Sequence, residues 1–449
     1  MNFQMDFVTG KIKNNFWIMF LPMLIAMFLN IAYNLVDSLW IGNLLGERAY
    51  AALTVSTPII LILTSLAMGS TNGISILLSN AIGAKDKKNI DSILATSFVL
   101  AILFSMFLTT ITEFFLPAIL HLLNTTKETY SMAYEYLFLY LLAFPCVYLY
   151  CYFTAVLRSY GNSMFQMVAM LFCTILNALI NPLFIHFIGF KGSALATVLS
   201  QFICLVFMIL YIMKKHIFTI TFSTFEFYEI KSLFAKAIPS AFQQSIPAIS
   251  TSFLTSLVSS VSLSALAAYG VSGKLETILF YPSMAMNMVL TTIIGQCLGA
   301  KRIDRGLLYI KYALKIGTLL LTSLSVLVVI FARPLSFLFL RSSAVADIVA
   351  IYFEIIGIGY ILNMLSNIFL GTLNGLSKPA MSMLLMVFYY IIIRMPLSYI
   401  LLHSSLYLHG IWIAIFISHV VACITAMLLC NYLLQKEERK LYQLSNISV

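Results

Sequence analysis

Charge is what this chain most lacks. Of its 449 residues only 9% are charged while 61% are hydrophobic; a soluble domain carries roughly a quarter charged residues. No soluble fold hides that much apolar surface, so lipid must be the solvent for much of it. Period-two alternation is missing too, which excludes a transmembrane β-barrel. The seven cysteines, at 146, 151, 173, 204, 297, 423 and 430, lie in apolar stretches and form no CxxC pair. They indicate neither a disulfide framework nor a zinc site and read as small core residues. No GxxxxGK[ST] phosphate loop occurs, so nothing points to ATP. Histidine is scarce: His186, His403 and His409 fall at predicted loop edges, and His419 stands alone in an apolar stretch where it is expected to pack. With no DDxxD or HxxxD pattern, an integral-membrane transferase, which needs paired carboxylates or a histidine site, is disfavoured. No filter-like pore loop stands out to suggest a channel.

What is present is a series of apolar stretches of about 20 to 30 residues, long enough for a helix to cross a hydrocarbon core of roughly 30 Å. They predict twelve transmembrane helices over 15–42, 50–80, 93–118, 128–156, 163–188, 192–213, 233–260, 264–297, 307–332, 345–375, 378–402 and 408–435. Lys11 and Lys13 precede the first run, which is too long for a signal peptide and lacks a small-residue cleavage site. The net charge of +10 does not point to nucleic acid, because the basic residues sit in short loops. With the N-terminus inside, the inner loops, termini and adjoining helix ends hold nineteen of the 26 lysines and arginines, among them Lys85, Lys214, Lys301 and Arg305. The outer loops hold five, and two, Lys274 and Arg394, fall well inside helices. That asymmetry predicts a cytoplasmic-membrane protein with both termini inside.

The chain also repeats itself. Residues 51–85 shifted by 216 positions onto 267–301 give ten identities in 35 without a gap, ending in Gly83-Ala84-Lys85 against Gly299-Ala300-Lys301. Pro22 falls opposite Pro239 with a one-residue slip. An offset of six helices keeps the two halves in one orientation, and such parallel repeats place a substrate path at their interface. The expected fold is therefore an all-α integral membrane protein of two pseudo-symmetric six-helix lobes. The N-terminal lobe spans 1–213, a cytoplasmic linker 214–232 and the C-terminal lobe 233–449.

Four short segments carry a family resemblance over nearly the whole chain: 34–42 (NLVDSLWIG), 79–85 (SNAIGAK), 238–244 (IPSAFQQ) and 294–301 (IGQCLGAK). They resemble the MATE (multidrug and toxic compound extrusion) family, and within it the bacterial DinF-like more than the NorM-like branch. The resemblance implies two lobes around a V-shaped cleft and a cation-coupled antiporter that exports amphiphilic, often cationic, compounds. No cofactor is expected beyond H⁺ or Na⁺ as coupling ion. The implied partners are the bilayer and a small organic substrate, with the chain acting as a monomer. NorM-like members carry acids in the second-lobe cavity. Here Gln243 or Gln244 and Asn363 stand at those places, which argues against a sodium site in that lobe. The closer rival is a lipid-linked-oligosaccharide flippase on a related scaffold, disfavoured because only Lys274 and Arg394 lie deep among the cations.

An ionisable residue at mid-bilayer costs at least about 2.5–3.5 kcal/mol, so function is its default explanation. Asp37, in helix 1 below Trp40, is the leading case. Burial favours the protonated carboxyl and an approaching cation reverses that, so one group can hold a proton in one state and a cation in another. The resemblance makes a helix-1 aspartate at this place the coupling residue. The alternative is a polar cap near a helix end. In helix 5, Asn177 and Asn181 share a face, and Pro182 frees a backbone carbonyl one turn back. They could coordinate Na⁺ with Asp37 or hold its protonated form, or simply bond helices together. The resemblance implies an acid where Asn181 stands. Thr197 and Tyr33 are further candidate partners, and Pro22 the expected hinge of helix 1. Asp37 has no acidic counterpart at the repeat offset, where Phe253 or Leu254 falls, so coupling is assigned to the first lobe. In the second lobe Glu276 is the best acidic candidate, unless it merely forms a local pair near Lys274. Arg394, just before Pro396, is expected to pair with a carboxylate or to snorkel to a surface, a structural role in either case, since a pump for cations would not aim an arginine at its cargo.

Overall fold

The structure, a computed structural model, describes residues 6–123, 125 and 127–447. Among the described residues there is no strand: twelve long helices account for the fold, with one 3₁₀ turn at Phe222–Thr224 before the seventh. They are α1 (Ile12–Leu45), α2 (Glu47–Ala84), α3 (Lys87–Leu122), α4 (Lys127–Ser159), α5 (Ser163–Ile188) and α6 (Phe190–Lys215). The second set is α7 (Phe227–Ser259), α8 (Leu263–Gly299), α9 (Ile303–Ser336), α10 (Ser343–Gly375), α11 (Pro379–Leu402) and α12 (Tyr407–Ile447). All twelve predicted spans are there; the fifth keeps its predicted bounds behind the cap of Asn162, and others begin earlier where polar caps such as Asp86, Ser262 and Ser342 accept bonds from the first-turn amides. Eleven are long and apolar enough to cross a membrane. The exception, α7, carries Lys231, Lys236, Ser240, Gln243, Gln244, Ser245 and Ser250 along its length.

Small residues let helices approach closely at several places, as they do where lipid is the solvent. In α9 the buried stripe includes Gly306, Ala313, Gly317, Ser325 and Ala332 among larger residues such as Tyr309 and Leu321, while Leu319, Leu327, Ile330 and Phe331 are exposed. Gly317 lies against Met364 and Ile368, and the Ser325 hydroxyl donates to the Gly357 carbonyl at 2.6 Å.

The chain forms two compact units. One comprises 21–78 and 86–241; the other comprises 6–20, 79–85 and the chain from 242 on. In the first, α5 and α4 pack on α6 and α3 packs on α4. In the second, α8, α9 and α12 surround α10. Helix α1 changes unit between Phe20 and Leu21, next to Pro22. Its opening turns pack on α9: Trp17 Nε1 donates to the Tyr312 hydroxyl at 3.0 Å and Phe16 meets the same ring edge-on.

The repeated Gly-Ala-Lys has a backbone explanation. A Cβ on Gly83 would stand 2.0 Å from the Gln296 carbonyl, and one on Gly299 2.0 Å from that of Asn80. The ends of α2 and α8 cross there backbone to backbone, which only glycine permits. Lys85 and Lys301 then both turn into the left-handed region, at φ 56° and 58°.

Candidate functional site

The first unit gathers the polar residues of α1, α5 and α6 around one carboxylate. Tyr33 and Asp37 are one turn apart on α1, Asn177 and Asn181 on α5, and Ser193, Thr197 and Ser200 follow at helical spacing on α6. Asp37 sits two turns before the end of α1 and is only 8% exposed; Asn177, Asn181, Ser193 and Ser200 are fully buried. Asn181 Nδ2 donates to Asp37 Oδ1 at 2.5 Å, and the Ser193 hydroxyl donates to the same oxygen at 3.0 Å. Asn177 Nδ2 donates to the Tyr33 and Thr197 hydroxyls, both at 3.4 Å, and Tyr33 meets the Ser200 hydroxyl at 3.4 Å. The Tyr136 hydroxyl, from α4, also reaches the carboxylate.

Three properties matter chemically. Asp37 has no basic partner among the described residues. The buried side-chain oxygens of Asn177 and Asn181 accept no hydrogen bond. Those two amide oxygens and the carboxylate are hard donors of the kind alkali and alkaline-earth ions take. Every first-lobe candidate for cation coupling read from the sequence falls in this cluster; Pro22 lies outside it, where α1 passes from one unit to the other. Ser193, Ser200 and Tyr136 were not foreseen, because a serine or tyrosine in an apolar helix carries no signal of its own.

The second unit encloses a cavity of about 310 Å³ lined by α7, α8, α10, α11 and α12. Gln243, Gln244, Glu276 and Asn363 all line it. Glu276 Oε1 accepts from the hydroxyls of Tyr352 and Tyr360, the latter at 2.5 Å. No local pair with Lys274 forms: that ammonium lies 5.3 Å from the centre of the Phe339 ring. Asn363, Asn367, Asn287, Asn374 and Gln243 are linked in an amide chain, for instance by Asn374 Nδ2 donating to Gln243 Oε1 at 3.2 Å.

Here the structure corrects two expectations. Arg394 does not snorkel: it is 5% exposed and lines the cavity. Its Nε donates to the Ser418 hydroxyl at 2.7 Å, Nη2 lies 3.4 Å from His419 Nε2, and the guanidinium stands 4.3 Å over the Tyr390 ring. His419 is accordingly no isolated packing residue. The cause is local. Pro396 has no amide hydrogen to offer, and residues 387–394 are wound as a π-helix, with the Met395 amide bonding to the Tyr390 carbonyl five residues back. That extra residue brings Tyr389, Tyr390 and Arg394 onto the cavity wall. The 3.6-residue period of an ordinary α-helix misses it.

One signal in the sequence could have exposed the tyrosines. Tyr136, facing Asp37, and Tyr352, holding Glu276, are 216 residues apart, the repeat offset itself.

The sequence profile of the MatE family matches this chain twice, over 22–183 and 239–400. The chain is 28% identical over 297 residues to the probable multidrug resistance protein YpnP of Bacillus subtilis, covering 66% of this chain and 67% of that one. It is 26% identical over 394 residues to the FAD transporter of Shewanella oneidensis, covering 85% and 86%. Its fold superposes with a TM-score of 0.91 on the outward-facing conformation of a multidrug resistance MATE transporter, at 23% identity and over 96% of this chain and 98% of that one. Two family matches on one twelve-helix chain, each spanning one copy of the repeat, fix the assignment: this multi-pass membrane protein belongs to the MatE family of multidrug and toxin efflux transporters.

Proposed function

We propose that the protein is a cation-coupled antiporter of the cytoplasmic membrane, working by alternating access and gated at Asp37. The observation that carries this reading is the buried carboxylate without a basic partner, in a cluster with two amide side chains whose oxygens accept no hydrogen bond. An ionised carboxylate in such a place is unstable by several kcal/mol unless a positive charge joins it. A proton on Asp37 supplies that charge, as does a sodium ion held by Asp37, Asn177 and Asn181. Thr197 and Tyr33 orient Asn177 so that its oxygen stays turned toward the ion. Cation arrival from outside changes the bonding of α1 to α5 and α6, and α1 bends at Pro22. The drug path through its half of the repeat then narrows and the cargo leaves outward.

The halves 1–213 and 233–449 act as the two lobes, joined by 214–232, with both termini cytoplasmic and the chain working as a monomer. The cargo is an amphiphilic organic compound. An ammonium group on it suits the aromatic walls and Glu276. The test is efflux of a fluorescent organic cation in inverted vesicles, driven separately by a proton and by a sodium gradient. Asp37→Asn should abolish transport under either gradient at unchanged expression; full coupled transport by that variant overturns the gating role.

A further inference from the structure

The chain ahead of α1 is folded rather than frayed. The Asp6 carboxylate accepts from the amides of Val8 and Thr9, both at 2.9 Å. Its carbonyl accepts from the Gly10 amide at 3.2 Å and from Asn15 Nδ2 at 2.5 Å. Aspartate favours such turns closed by its own side chain. Gly10 is required in this one, because a Cβ there would stand 2.5 Å from both Asn15 Nδ2 and the Asp6 carbonyl. The turn and the start of α1 then lie along one stripe of α9, where Arg305, Tyr309 and Tyr312 share a face at helical spacing. Arg305 Nη2 donates to the Gly10 carbonyl. The Tyr309 hydroxyl accepts from Asn15 Nδ2 at 3.3 Å, and its ring meets that of Phe7 edge-on at 6.4 Å. The Tyr312 hydroxyl accepts from Trp17, and Phe7, Phe16, Met19 and Phe20 are fully buried.

The other half repeats the device. The chain leading into α7 packs on α3: the Glu226 amide donates to the Thr96 hydroxyl at 3.1 Å, and the Thr224 hydroxyl to the Asp91 carbonyl at 3.1 Å. The Phe222 ring lies 6.3 Å from that of Phe98. Thr96 and Tyr312 are 216 residues apart, the repeat offset. Each unit thus holds, on the third helix of one half, the start of the first helix of the other half. In both cases the chain passes to the next unit close to a proline, Pro22 or Pro239. The side chains have diverged and the anchorage has been kept.

A helix bends only against a fixed end. Free at both ends, α1 would answer a new bond at Asp37 by turning as a rigid rod. With its start pinned, the same force is taken up where the backbone ladder is weakest, at Pro22, which has no amide hydrogen to give. We infer that Arg305, Tyr309 and Tyr312 are positioning residues for export: they pin the first turns of α1 to α9, so that motion started at Asp37 is confined to the chain beyond Phe20. The lever rests on the gating reading of Asp37; the pinning does not.

The experiment joins two measurements on the full chain. One is hydrogen–deuterium exchange of residues 6–20 in lipid nanodiscs. The other is transport of a fluorescent aromatic amine in inverted vesicles under a proton gradient. Three variants open the clasp. The double variant Tyr309→Phe/Tyr312→Phe removes two hydroxyls and keeps the rings, Arg305→Met removes the donor to Gly10, and Gly10→Ala spoils the turn while leaving α9 intact. Losing a hydrogen bond is a several-fold effect, so each should speed exchange over 6–20 by at least about fivefold. Each should also lower the maximal transport rate at least about threefold, with the KM for the amine and exchange over 177–200 unchanged. Unchanged exchange over 6–20 overturns the clasp. Raised exchange there with the parental rate overturns its part in export. A lowered rate with raised exchange throughout the chain marks a role in stability alone and overturns it too. Asp37→Asn should exchange over 6–20 as the parent does. Retained transport by that variant sinks the gating reading alone, and the clasp is still decided by the other three.

Discussion

The two units solve the problem of a buried carboxylate in different ways. In the first, Asp37 is held by an amide and hydroxyls from α4, α5 and α6, with no arginine or lysine near it. In the second, Glu276 sits between two tyrosines in a cavity that also holds Arg394 and His419. The scaffold is duplicated down to the glycine crossings and one tyrosine, since Tyr136 and Tyr352 occupy the same repeat position. The acids are not: one comes from the first helix of its half, the other from the second helix of its half. A cluster with one sign of charge suits a small cation, and a cavity with both signs suits a larger molecule. Duplication followed by charge divergence thus leaves one half with a single buried carboxylate and the other with a cavity that carries both signs.

The largest break in this comparison should come from exchanging the acids' ionisation. Asp37→Asn should reduce gradient-driven efflux to the level of vesicles without the protein. Glu276→Gln should leave transport of a singly charged cation under a proton gradient detectable, as the proposed coupling role of Asp37 in the other unit requires. Equal loss in both would mean that the halves do not divide the work.

Next in size are the crossings the halves share. Gly83→Ala and Gly299→Ala each drive a methyl into backbone, where overpacking costs about 1–3 kcal/mol or more. Both should lower the thermal unfolding midpoint in detergent by similar amounts. A large effect in one alone would show that the two crossings are not equivalent.

Asn181→Asp sharpens the comparison from the other side. It replaces the donor to Asp37 with a second carboxylate, and like charges at that range oppose joint ionisation unless a cation bridges them. Sodium should then raise the thermal stability of the variant more than that of the parent. An unchanged sodium response would place the ion elsewhere.

The smallest effects should come from the paired tyrosines. A hydrogen bond to a charged group contributes about 1.5–3 kcal/mol. Tyr136→Phe should therefore alter the apparent affinity for the coupling cation and spare binding of the aromatic amine, while Tyr352→Phe should do the reverse. Efflux titrated separately against gradient and cargo distinguishes them.

Twelve apolar runs and the 216-residue repeat sufficed to derive the helices and their duplication. Each is a local or periodic property, and lipid leaves an apolar run of that length little choice but a helix with its own backbone bonds satisfied. The Asp37 cluster was legible for a related reason: Tyr33 and Asp37, and Asn177 and Asn181, are four apart, so helical geometry alone places each pair on one face. Nothing local announces that Arg394 and His419, expected to be structural, face Glu276. Their meeting depends on how α8, α10, α11 and α12 are rotated about their axes, and on a π-wound segment before Pro396 that breaks the 3.6-residue register. The sequence by itself determined which elements form and which polar residues each must hide. The tertiary structure alone decided which of those residues share a cavity, because a helix carries no instruction about the face its neighbours present to it.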